Sequence, residues 1–277
     1  MSSSISPSTS SSSQHVVAFG EPRDGALFVP LRVLGGEHPF ESWTAGEDLL
    51  FGSVAIDVAE PLEEVARATY ASLIAGVRAE GFPYFVRMWN YVGGINDEDE
   101  GRERYTLFCA GRHDAFVDAG YHHDVDLPSA SAVGMPGRGL VTYFLAAREP
   151  GVQIENPRQV AAYHYPAQYG PKSPSFSRAT MWNGTVFVSG TSSVVGHESV
   201  HRGDVDAQLE ETLRNIEAVL AQAGRTLADV ISAKTYIRRA DDYARIAERL
   251  RGMFPRNLYL ESDICRADLL LEIECVA

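Results

Sequence analysis

Two carboxylates, Glu272 and Glu274, interrupt the apolar run from Leu269 to Val276 near the C-terminus. Side chains alternate across a strand, so Leu271, Ile273 and Cys275 share one face while Glu272 and Glu274 share the other. A carboxylate inside such a run must be paired, face a cleft, or be held protonated by desolvation. The last state gives a carboxylic acid able to donate a proton near neutral pH. The competing reading is a wet sheet face, which many antiparallel sheets have. Seven residues before Glu272 stands Cys265, whose neighbour Arg266 supplies positive potential expected to lower the thiol pKa. Cys109 and Cys275 lack that context and read as structural. Arg178 and Arg266 offer the planar, bidentate donors that carboxylates favour, or else serve as salt-bridge residues. The segment His197-Glu198-Ser199-Val200-His201 spells H-E-x-x-H. It lies between Gly196 and Gly203, however, in a loop ahead of a helix, whereas a zincin needs both His on one helix face. No metal site is expected.

These groups need a frame, and the chain reads as the same frame twice. In the first half, Ser53 to Asp57 is a strand and Pro61 suits a helix start. Leu62, Val65, Ala66, Leu73, Ile74 and Val77 then form one helical stripe that ends near Gly81. Tyr84 to Trp89 is a strand, Arg104 to Ala119 a helix and Leu140 to Ala147 a strand. In the second half, Thr185 to Ser189 is a strand. Leu209, Leu213, Ile216, Val219, Leu220 and Ala223 form a stripe stopped by Gly224. Val230 to Ile237, Asp242 to Met253 and Leu269 to Val276 follow as strand, helix and strand. Strands paired around two helices on one side imply an α+β domain made twice, with mixed sheets. The polar segment Glu149 to Arg158 is the expected junction. The expected divisions are 1–42, a disordered Ser-rich tail and extension; 43–152, a first copy of the unit; and 153–277, a second.

With 277 residues and 45% hydrophobic content, the chain has ample length for a core. Its net charge of −13 argues against nucleic acid and anionic membranes as partners, and an anionic substrate would need local Arg. Three Cys without a C-x-x-C pair suggest neither a zinc site nor a disulfide framework, which fits a cytoplasmic location. Met1 to Gln14 holds nine Ser and no apolar core of a secretory signal, and no apolar run reaches membrane-span length.

The second half resembles the YjgF/RidA family through Asn183-Gly184-Thr185-Val186-Phe187-Val188-Ser189-Gly190, Gln208…Thr212-Leu213…Asn215-Ile216…Ala223-Gly224 and Leu271-Glu272-Ile273-Glu274. From about Trp43 onward the chain more narrowly resembles the chorismatase family. The motifs are Met88-Trp89-Asn90-Tyr91, Arg104-Tyr105…Phe108…Gly111-Arg112, Glu155-Asn156-Pro157-Arg158-Gln159-Val160, Tyr169-Gly170-Pro171-Lys172-Ser173-Pro174-Ser175-Phe176-Ser177-Arg178 and Gly196-His197-Glu198. That resemblance implies two tandem YjgF/RidA-like (chorismate mutase-like) domains, a degenerate one over 43–152 and a complete one over 153–277 that carries most of the active site. It also implies an enzyme that removes pyruvate from chorismate without metal or organic cofactor. Protonating the enol-ether methylene carbon requires a positioned acid with a raised pKa. The family position of that carboxylate is Glu272, with Glu274 its rival. Cys265 matches a family Cys that marks a 3-hydroxybenzoate branch, steering the ring toward aromatisation; other branches hydrolyse chorismate to a dihydroxycyclohexadiene carboxylate. Arg178, after the pocket-bordering Phe176-Ser177, and Arg266 are the expected carboxylate partners. Tyr169, Ser177, Thr191 and Ser192 complete the expected binding site, with Ser192 where the family has Gly or Ala. Generic members, which are imine and enamine deaminases and usually trimers, carry a carboxylate-binding Arg where this chain aligns Asn257. A monomer is expected here, because the first half can cover surfaces that other subunits cover in generic members.

Overall fold

The computed structural model describes residues 16–19, 31–36, 48–57, 61–99 and 101–277. The Ser-rich segment 1–14, read as a tail, lies outside the described residues. In chain order the first half contains β1 (Val16–Phe19), β2 (Arg32–Gly36), β3 (Leu49–Ile56), α1 (Leu62–Ala79) and β4 (Tyr84–Gly93). A small ribbon of β5 (Glu98–Asp99) and β6 (Arg102–Glu103) leads into α2 (Arg104–Asp118), β7 (Ser129–Met135) and β8 (Leu140–Ala147). The second half runs β9 (Val152–Ile154), β10 (Ala179–Trp182), β11 (Thr185–Thr191) and a ribbon of β12 (Val194–Val195) and β13 (Glu198–Ser199). It continues through α3 (Val205–Gln222), β14 (Ser232–Ile237), α4 (Tyr243–Leu250), β15 (Asn257–Glu261) and β16 (Leu271–Val276).

Duplication is visible in the topology. One sheet has the order β1-β3-β8-β4-β7, and the other contains β10-β11-β16-β14-β15 as its corresponding run. In each, the last strand lies antiparallel between the first long strand and the strand after the first helix. The strand after the second helix pairs parallel at the far side, β4 with β7 and β14 with β15. That parallel pairing makes both sheets mixed. Two further strands extend the second sheet: β9, from the expected junction, joins β10, and β2, from the N-terminal extension, joins β15.

The apolar stripes account for the layers. Leu62, Val65, Ala66, Leu73, Ile74 and Val77 of α1 are buried with Leu107 and Phe108 of α2 against one face of the first sheet. Leu209, Leu213, Ile216, Val219 and Leu220 of α3, with Ile246 and Leu250 of α4, cover the second sheet in the same way. The remaining faces meet, and Val86, Trp89, Tyr91, Val133, Phe187, Tyr236, Leu258 and Leu260 form the layer between the sheets. Each helix therefore packs on an outer face. Asp204 caps α3 by accepting from the Ala207 N–H at 3.0 Å, and Gly224 follows that helix with φ +68°. Among the described residues, no helix is long and apolar enough to cross a membrane.

Candidate active site

The strand β16 alternates as its pattern requires. Leu271, Ile273 and Cys275 belong to the core under α3 and α4, so Glu272 and Glu274 point toward the first unit. The wet-face reading fails, because Glu272 is only 4% and Glu274 only 5% exposed. The second sheet cannot decide this alone: the other unit covers the carboxylate face.

The two carboxyls meet opposite surroundings. Glu274 accepts from Trp89 Nε1 at 2.6 Å, Arg87 Nη2 at 2.7 Å, Ser131 Oγ at 2.5 Å and Tyr236 OH at 3.1 Å. Lys234 Nζ lies 3.0 Å from its other oxygen. Burial alone would raise the Glu274 pKa, but Lys234, Arg87 and the Ser131 hydroxyl outweigh it and bring the group down to about 2. Trp89, Arg87 and Ser131 come from the first unit and Lys234, Tyr236 and Glu274 from the second. This ionised carboxylate is therefore a polar clasp between the units.

Glu272 has no such company. Its polar contact is the Ser192 hydroxyl, 3.5 Å from Oε2. Burial, and next the negative charge of Glu274, push its pKa up to about 8 against the opposing pull of Arg87. Near neutral pH it is a carboxylic acid, and it forms part of the wall of a cavity. Gly190 explains how the carboxyl fits there. A Cβ on Gly190 would stand 1.9 Å from Glu272 Oε1, so only glycine permits that approach.

The cavity lies at the seam, with α2 and the loop before it on one side and the second unit on the other. It gathers Glu272, Cys265, Arg178, Arg266, Tyr169 and Ser192 from the residues singled out in the sequence. Arg178 is held by the Val160 carbonyl and the Tyr165 hydroxyl, both 2.8 Å from Nη2, and its Nε is buried with no acceptor. Arg266 donates to the His197 carbonyl at 2.8 Å and lies over the Tyr169 ring, 4.2 Å from its centroid. The Tyr169 hydroxyl meets His197 Nδ1 at 3.3 Å. These contacts hold two guanidinium groups at the cavity wall, where the charge of Arg266 is felt by Glu103 and that of Arg178 by Glu155 and Glu272.

Several expectations need correction. Ser177 is fully buried behind the wall, near the Thr180 hydroxyl, and its carbonyl accepts from Ser189 Oγ at 2.6 Å. Thr191 turns its hydroxyl back to the Ser189 carbonyl at 2.8 Å and also lies off the cavity. For Thr191 this follows from strand alternation, because its neighbours Gly190 and Ser192 both line the cavity, and Ser177 likewise sits between the wall residues Phe176 and Arg178. The Cys265 thiol is not activated by Arg266. Burial first, and then the nearby Glu272, push its pKa far above the ordinary thiol range. Asn257 begins β15 and accepts from Thr235 Oγ1 at 3.0 Å, away from the cavity. His197 sits between β12 and β13 and His201 in the following loop with φ +60°, so they share no helix face.

Sequence reasoning missed the part of the wall that the first unit supplies, Glu103, Tyr105 and Thr106, as well as Gln159, Tyr165 and Gln168. The motifs containing Tyr105 and Gln159 stood out in the sequence, but nothing in them showed that they converge across the seam.

Fold and cavity together define a two-unit YjgF/RidA-type protein whose site lies between its own units. The family description "Chorismatase FkbO/Hyg5-like, N-terminal" matches residues 29–146, and "Endoribonuclease L-PSP" matches residues 170–277. A 3-hydroxybenzoate synthase of Streptomyces hygroscopicus is 42% identical over 77% of this chain and 69% of that protein. A chorismatase of Streptomyces rapamycinicus is 38% identical over 87% of this chain and 78% of that protein. A solved chorismatase superposes with a TM-score of 0.79 at 35% identity, covering 84% of this chain and 75% of the other. The chain belongs to the chorismatase family.

Proposed function

We propose that this chain cleaves the enol ether of chorismate to pyruvate and 3-hydroxybenzoate. The observation that carries the reading is the division of labour on β16: Glu272 is a protonated acid at the cavity wall, while Glu274 is neutralised by Arg87 and Lys234. The Glu272 O–H donates its proton to the terminal methylene carbon, and the developing cation is stabilised by the enol-ether oxygen. Glu272 leaves this step as a carboxylate next to that cation. Arg178 and Arg266 supply the positive potential that draws a dianion into a protein of net charge −13.

The fate of the ring follows from atom balance. Pyruvate and 3-hydroxybenzoate together contain the atoms of chorismate, whereas pyruvate and the dihydroxycyclohexadiene carboxylate contain one water more. Excluding water at the cation therefore favours the first outcome. Cys265, with a neutral thiol at the wall, suits that role as an apolar, non-nucleophilic neighbour of the ring. In this reading the protein works as a monomer, because its first unit already covers the Glu272 face.

Incubation with chorismate tests the reading: pyruvate must form above the spontaneous rate. Chromatography of the ring product distinguishes 3-hydroxybenzoate from the hydrolysis product. Ammonia from amino-acid-derived imines, without pyruvate from chorismate, would instead identify a deaminase.

Three expected results arise here. Cys265→Ala should preserve pyruvate release but move the ring product toward the dihydroxycyclohexadiene carboxylate; an unchanged product ratio removes Cys265 from the branch decision. For pH, the working form of Glu272 is protonated, so activity is expected to hold below neutrality and fall as pH rises through about 8. A rate that instead rises across that interval would require a base. Gly190→Ala drives a methyl into Glu272 Oε1 and should lower kcat by roughly 10²-fold, the usual scale for a misplaced group. Normal turnover by that variant would mean that the carboxyl position is not critical.

A further inference from the structure

Behind the cavity lies a smaller recess that shares Phe176, Gly190, Cys265 and Glu272 with it and is also lined by Phe108 and Arg112. Arg112 comes from α2 and is only 3% exposed. Its guanidinium lies over the rings of Tyr70 and Phe116, at 5.1 and 5.3 Å, and Nη2 reaches Met88 Sδ at 3.8 Å. Nε has no acceptor, and among the described residues no carboxylate stands within ion-pair distance of this group. The buried Arg87 and Lys234, by contrast, have the Glu274 carboxylate as their counter-charge. A guanidinium taken out of water without an anion costs several kcal/mol, so an anion delivered by a ligand would have more to gain here than at an exposed Arg.

We propose that Arg112 binds the carboxylate of the enolpyruvyl arm of the substrate, leaving Arg178 and Arg266 to hold the ring carboxylate. This assignment rests on the chorismate reading above and deepens it. The geometry supplies the reason. The enolpyruvyl carboxylate is two bonds from the methylene carbon that must be protonated, so its binding group has to share a wall with Glu272. The recess does so, and it is the smaller of the two spaces, about 360 Å³ against about 730 Å³. Arg178 and Arg266 sit instead beside Tyr165 and Tyr169 in the wider cavity, where flat aromatic faces suit a six-membered ring. The rings of Tyr70 and Phe116 hold the planar guanidinium in one orientation before the substrate arrives, which lowers the cost of binding.

Arg112→Gln and Arg112→Lys test the assignment, with thermal melting first to establish folding. In the folded variants the KM for chorismate should rise about 10–100-fold, the scale of one lost charge-assisted contact. Pyruvate should weaken as a product inhibitor by a similar factor, while inhibition by benzoate, a probe of the ring subsite, should be unchanged. A folded variant with wild-type KM and wild-type pyruvate inhibition overturns the assignment, and so does one that loses benzoate inhibition instead. A wild-type chain that releases no pyruvate from chorismate sinks the proposed function, and this assignment with it. A working wild type beside unaffected variants sinks the assignment alone. Should neither variant fold, a crystal structure of the wild-type chain with pyruvate decides: density against Arg112 supports the subsite, and its absence there overturns it.

Discussion

Glu272→Gln is expected to lower pyruvate release from chorismate by about 10²–10⁴-fold, the usual contribution of a positioned general acid. The ring product should fall in step, because carbon protonation precedes the fate of the ring. The same substitution should stabilise the fold as pH rises, and the sign follows from linkage. In the folded chain burial holds the proton on Glu272 up to about pH 8, whereas the unfolded chain releases it near about 4.3. Between those values the native state binds more protons than the unfolded state, so this group makes wild-type stability decline with rising pH. Glutamine has no proton to lose. The melting temperature of the variant relative to wild type should therefore grow from about pH 4.3 to about 8 and level off above. A variant that is inactive but no more stable at pH 8 than at pH 5 would show that Glu272 is already ionised in the folded protein. Full activity in the variant would end its role as the acid.

The second large effect belongs to Glu274. Glu274→Gln keeps the shape but leaves Arg87 and Lys234 as buried cations without a counter-charge. Breaking a buried pair from one side costs about 3–5 kcal/mol, which for a chain of this size corresponds to a fall in melting temperature of roughly 6–20 °C. Because the clasp joins the two units, the loss should appear as easier separation of the sheets, read as faster amide exchange in Trp89 and Tyr236. Adding Lys234→Met should recover part of the loss, since one stranded cation is then replaced by an apolar group of similar length. A Glu274→Gln variant that melts within about 2 °C of wild type would mean that water already reaches the clasp.

Loss of the Glu274 charge has a second consequence. That charge is one reason Glu272 stays protonated, and Arg87 pulls the other way. Without Glu274, the freed positive charge should ionise Glu272 at lower pH. The alkaline fall in activity would then move downward. Two glutamates separated by one residue thus differ in proton affinity, and the charge of Glu274 is one cause of the raised value at Glu272.

The sequence by itself determined the local elements and the type of chemistry. Period-two alternation in Leu271 to Cys275 put both glutamates on one face of β16, and period-3.6 stripes identified α1 and α3 with their glycine stops. The repeated order of those elements revealed a duplicated α+β fold, and long motifs carried the family. Less legible were β7, β10 and β15, whose short segments have no distinctive period and gain their structure from the strands they pair with. The family resemblance singled out Glu272, but local context could not assign different states to Glu272 and Glu274, because their surroundings along the chain are nearly the same. Only the tertiary structure decided that: Arg87, Trp89 and Ser131, more than 140 residues away in the chain, reach Glu274 and not Glu272. Likewise Ser177 and Thr191 lie next to cavity residues in sequence yet face away from the cavity. Arg112 reads as an ordinary helix residue until packing removes its solvent and gives it no anion. Proton affinity in a dry interior depends on which charges lie within a few ångströms across the fold, and neighbours along the chain are only a small part of that set.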